Sequence, residues 1–68
     1  MMIELNGRPV ELASGATVAD AVLQAGAEGE VRGVAVAVDG EVVRKAEWVK
    51  TRLRPDQSVE VVRAVQGG

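Results

Sequence analysis

The chain predicts an α+β domain in which a mixed sheet of four or five strands packs on one short helix, and three observations carry that prediction. Apolar residues alternate around Asn6-Gly7 and again around Asp39-Gly40, the pattern of two tight hairpins. Between them Val18, Ala21, Val22 and Ala25 recur at i, i+3, i+4 and i+7, the period of a helix. A last alternating run, Ser58 to Val65, supplies one more strand.

In chain order, Ile3 and Leu5 precede the first turn and Val10 and Leu12 follow it, with Glu4 and Glu11 between them. Asn and Gly both tolerate positive φ, so Asn6-Gly7 suits a two-residue turn. Pro9 has no N–H to donate, which suits the start of the second strand or a free edge. After Ser14-Gly15 the period changes to a helical one. Thr17 stands as N-cap, Asp20 at the third helical position favours the positive end of the dipole, and Gly26 supplies a left-handed stop. A helix of about 8 residues, roughly 12 Å, does not stand alone and depends on packing against the sheet.

Ala27 to Gly33 is rich in Gly and Glu and reads as an exposed loop. It leads into Val34-Ala35-Val36-Ala37-Val38, whose valines face inward and alanines outward, then to the Asp39-Gly40 turn and the short strand Glu41-Val42-Val43. Arg44 to Trp48 reads as irregular or a single helical turn, with Trp48 closing the core and Leu53 as a second apolar plug. Pro55-Asp56-Gln57 turns the chain into the final strand. There Val59 and Val61 fall on one face, and Glu60, Val62 and Ala64 on the other. Arg63 and Val65 continue the inner register as the strand leaves the sheet. The folded domain is expected over residues 1–65, with 66–68 a tail that is mobile without a partner, since glycines lose most entropy on ordering.

Composition narrows the function. In 68 residues there is no Cys, His or Tyr, hence no thiol nucleophile, no imidazole base and no soft metal ligand. No catalytic residue and no metal site are assigned. Glu4, Glu11, Glu41 and Glu60 fall on outward strand positions, where they form a solvated face rather than a shared cleft. A net charge of −2 with mixed signs gives no one-sided basic field, so nucleic acid is not an expected partner. No apolar run approaches the roughly 18 residues of a membrane span, and Met1-Met2-Ile3-Glu4 has neither a basic nor an apolar signal region. The expected location is cytoplasmic, with no membrane partner. One aromatic, Trp48, among 47% hydrophobic residues means a thin core of Val, Leu, Ile and Ala.

Two strands, a helix, then a strand, a short strand and a strand fit the β-grasp arrangement of ubiquitin-like proteins. Further features then converge: Ile3-Glu4-Leu5-Asn6-Gly7, Gly15-Ala16-Thr17-Val18 at the helix entry, Val36 to Val43 with Trp48 following, and Asp56 to Val65 ending in Gln66-Gly67-Gly68. Over essentially its whole length the chain resembles the ThiS family, small sulfur carriers of thiamine thiazole biosynthesis. The loop between the helix and the third strand, which varies in that family, is here Glu- and Gly-rich.

The resemblance implies a substrate of other enzymes. An adenylating enzyme similar to ThiF would use ATP to activate the Gly68 carboxylate. A persulfide donor such as a cysteine desulfurase would install sulfur as a thiocarboxylate, and a thiazole synthase similar to ThiG would consume it. No cofactor is bound by the chain itself, and ATP belongs to the partner. Gln66 and Gly67 form the rest of the tail, where the missing Cβ atoms of the two glycines let it lie extended in a narrow channel. The outward sheet positions Ala35, Ala37, Val62 and Ala64 are apolar where a solvated face would be polar, and with Arg63 as a charge contact they are the expected docking patch. A carrier for molybdopterin, tRNA thiolation or cysteine synthesis, a ubiquitin-like modifier, and an interaction module with an inert tail are the alternatives.

Overall fold

In the computed structural model, residues 1–26 and 33–63 are described. β1 (Met2–Leu5) and β2 (Arg8–Glu11) are joined through Asn6 and Gly7 at φ 52° and 81°, the double positive φ that a right-twisted two-residue hairpin requires. The register closes on Leu5 opposite Arg8 and places Glu4 opposite Pro9. The rungs alternate, so the nitrogen of Pro9 faces away from β1 and no ladder bond is lost. Leu12, expected inside β2, lies one residue past it, yet its N–H still donates to the Met1 carbonyl at 2.8 Å and its side chain is buried.

The helix α1 runs over Val18–Gln24, close to the expected length. Thr17 and Asp20 form a reciprocal cap: the Thr17 N–H donates to the Asp20 carboxylate at 2.8 Å, and the Asp20 N–H to Oγ1 of Thr17 at 3.4 Å. The two other free N–H groups of the first turn find partners far along the chain. Val18 donates to the Thr51 carbonyl at 2.9 Å and Ala19 to the Trp48 carbonyl at 3.2 Å. Gly26, at φ 78°, ends the helix as expected.

β3 (Val34–Val38) and β4 (Glu41–Val43) form the second hairpin, with Asp39 and Gly40 at φ 50° and 85°. A single 3₁₀ turn, Lys45–Glu47, then brings in Trp48, whose indole N–H donates to the Val43 carbonyl at 2.9 Å. β5 (Ser58–Arg63) completes a five-stranded sheet in the order β2-β1-β5-β3-β4, parallel to β1 and antiparallel to β3. This is the expected β-grasp fold, with the last strand threaded into the middle. Val18, Ala21 and Val22 of α1 cover Ile3, Leu5, Val36, Val38, Val59 and Val61 of the sheet, and Trp48 and Leu53 close the same core. Burying Val18, Val36 and Val59 completely contributes roughly 1.5–3 kcal/mol each before chain entropy is subtracted.

Candidate functional site

The central position of β5 determines what the domain can present. Directly opposed residues share a face of a sheet, so the register assigns every side chain on it. Val62 lies opposite Ala35, and Ala37 is flanked by Glu60 on one side and Val42 on the other. Ala35, Ala37 and Val62 therefore share the outer face, as their alternation suggested. They are joined by Val42, which the sequence reading did not include. Val42 is 74% exposed and Val62 59%, large values for valines. The two-residue Asp39-Gly40 turn held the missing signal, because it fixes Ala37 opposite Val42.

Arg63 does not belong to that face. It continues the inner register, as the alternation predicts, with its side chain on the helix side and exposed at the rim, but it is still paired, opposite Val34, rather than leaving the sheet there. Ala64, Gln66, Gly67 and Gly68, named above for the patch and the tail, lie outside the described residues.

Both ends of β5 are held by side chains from hairpin turns. At its start, Asp39 accepts from the Ser58 N–H at 2.9 Å and from the Gln57 side-chain amide at 3.1 Å, while its own N–H donates to the Ser58 carbonyl at 2.7 Å. The Ser58 N–H first, and then Gln57, hold the Asp39 carboxyl below the usual aspartate range, because both donate to the charged form. Near the other end, the Asn6 carboxamide accepts from the Val61 N–H at 2.8 Å and donates to the Val61 carbonyl at 3.3 Å.

Among the described residues no three acidic side chains are close enough to hold a metal ion, and no polar or charged side chain is buried. The described scaffold thus offers an apolar face and a firmly held strand directed at the C-terminal residues.

A family model described as the ThiS family matches residues 3–68. The chain belongs to the ThiS family. Among solved structures, it is similar to the crystal structure of the thiamine biosynthesis protein ThiS from Geobacter metallireducens. Identity is 26%, all of each chain is covered, and the TM-score is 0.77. Among curated proteins none matches it. Membership of the ThiS family gives the chain the coarse role of a small sulfur carrier in thiamine biosynthesis. No helix among the described residues is long and apolar enough to cross a membrane.

Proposed function

We propose that the Gly68 carboxylate carries the sulfur. A ThiF-like enzyme joins it to the α-phosphorus of ATP as an acyl adenylate with release of pyrophosphate, since a carboxylate by itself is a poor electrophile. A persulfide, such as that formed by a cysteine desulfurase, then displaces AMP through its outer sulfur to give an acyl disulfide. A thiol cleaves the S–S bond, leaving a thiocarboxylate and itself ending in a disulfide. The resulting thiocarboxylate supplies a ThiG-like thiazole synthase, and the carboxylate is regenerated. An α-carboxyl with a pKa of roughly 3.3–3.7 is ionised at neutral pH and ready for the first step.

The observation that supports this reading most is the family match, which runs through to residue 68 on a scaffold whose described residues contain no buried polar side chain. The outer face formed by Ala35, Ala37, Val62 and Val42 is the surface on which the adenylating enzyme docks, beside the strand that leads to Gly68.

Intact mass spectrometry tests the reading. After incubation with ATP, a ThiF-like enzyme and a sulfur donor, the expected product is heavier by the exchange of one oxygen for one sulfur. A variant lacking Gly68 is expected to stay unchanged. High-mass conjugates would instead indicate a protein modifier, and an unchanged mass of the complete chain an inert tail.

A further inference from the structure

β1 and β5 run parallel, but they do not end together. β1 stops at Leu5, where the chain turns back through Asn6-Gly7, whereas β5 continues to Arg63. The last main-chain bond between them is from the Asn6 N–H to the Val59 carbonyl, at 2.9 Å. The next β5 peptide groups facing that side belong to Val61, and β1 has no further residue to meet them. The Asn6 side chain takes that place: its carboxamide, the side-chain equivalent of a peptide, offers an acceptor to the Val61 N–H and a donor to the Val61 carbonyl.

Asn6 meets two demands at once. Its φ of 52° is a conformation that Asn tolerates better than most L residues. An acidic side chain of the same length would set a carboxylate oxygen against the Val61 carbonyl, and glycine would satisfy the turn while leaving the peptide unmatched. Val61 is the last residue of β5 whose β1-facing groups are held in this way among the described residues, and it stands seven positions before Gly68.

We propose that Asn6 is a positioning residue for the carrier reaction. By holding the Val61 peptide, it fixes the direction in which β5 delivers the C-terminal residues while the outer face is docked. This rests on the carrier reading above. Asn6 has no part in the chemistry and is not on the outer face, so its loss alters the placement of the tail rather than the docking.

The test pairs Asn6→Gly, which keeps the turn conformation and removes the carboxamide, with Asp39→Gly, which removes the equivalent hold at the start of β5. In Asn6→Gly, amide hydrogen exchange at Val61 is expected to quicken about tenfold, the factor that loss of one or two net hydrogen bonds corresponds to. With a ThiF-like enzyme, at a temperature where circular dichroism shows each variant folded, Asn6→Gly is expected to lose about tenfold in kcat of adenylation at unchanged KM. Asp39→Gly is expected to lower the melting temperature and leave both constants as they were.

Unchanged Val61 exchange, an unchanged kcat, or the same kcat loss in both variants would overturn the proposal. So would a Val61 amide that exchanges freely in the wild-type chain, a measurement that needs no variant to fold. A wild-type chain that is never adenylated overturns the carrier reading, and the role of Asn6 with it. That outcome is recognisable because exchange at Val61 is read without an enzyme.

Discussion

The two ends of β5 are held by the same device in two chemical forms. Each hold comes from the first residue of a two-residue hairpin turn, at nearly the same positive φ, 50° for Asp39 and 52° for Asn6. Asp39 grips the start of the strand with a carboxylate that accepts from Ser58 and Gln57, whereas Asn6 grips the Val61 peptide with a neutral carboxamide that both accepts and donates. The difference teaches that the start of the strand depends on charge and the end does not. Acid can therefore loosen the Asp39 end and leave the hold on Val61 in place.

The largest expected effect tests whether the two ends belong to one cooperative unit. Val59 is completely buried midway between the holds, and Val59→Ala is expected to cost about 2 to 3 kcal/mol in a denaturant melt. Amide exchange at Ser58 and Val61 should rise together; a rise at one only would separate the ends.

A smaller effect is expected from pH. The folded Asp39 carboxyl titrates below its unfolded value of roughly 3.9, so its contribution is present above that pH and is lost as pH falls through the lower folded value. The wild-type melting temperature should therefore drop more steeply below about pH 4 than that of Asp39→Asn, which keeps a residue tolerant of positive φ. Parallel curves would remove the charge distinction between the ends.

The smallest effect on stability is expected at Val62, on the exposed face near the Asn6 hold. Val62→Asp should change stability by no more than about 0.5 kcal/mol. Binding to a ThiF-like enzyme, followed by calorimetry, should weaken at least about tenfold. Undiminished binding would take docking away from the outer face.

Much of this was legible in the residues. Asn-Gly and Asp-Gly marked both hairpins, the valine period assigned the inner faces of β3 and β5, and Thr17 with Asp20 marked the start of the helix. Trp48 and Leu53 were read as core, and both are buried. The outer patch was only partly legible. Ala35, Ala37 and Val62 followed from alternation, as did the inner register of Arg63, but the contribution of Val42 required the register of the β3-β4 hairpin. The second function of each turn residue was hidden for a related reason: Asn6 reads as a turn former, and nothing near it in the chain announces Val61.

What the sequence by itself determined is the set of elements and their inward faces, because period, turn chemistry and capping act over a few neighbouring residues. Only the tertiary structure decided which strand lies in the middle of the sheet, and with it the holds on Ser58 and Val61 and the partners that Thr51 and Trp48 provide for the first turn of the helix. Those bonds join groups up to 55 positions apart. Such groups meet only when burial of the shared core selects one strand order, and no local pattern carries that information.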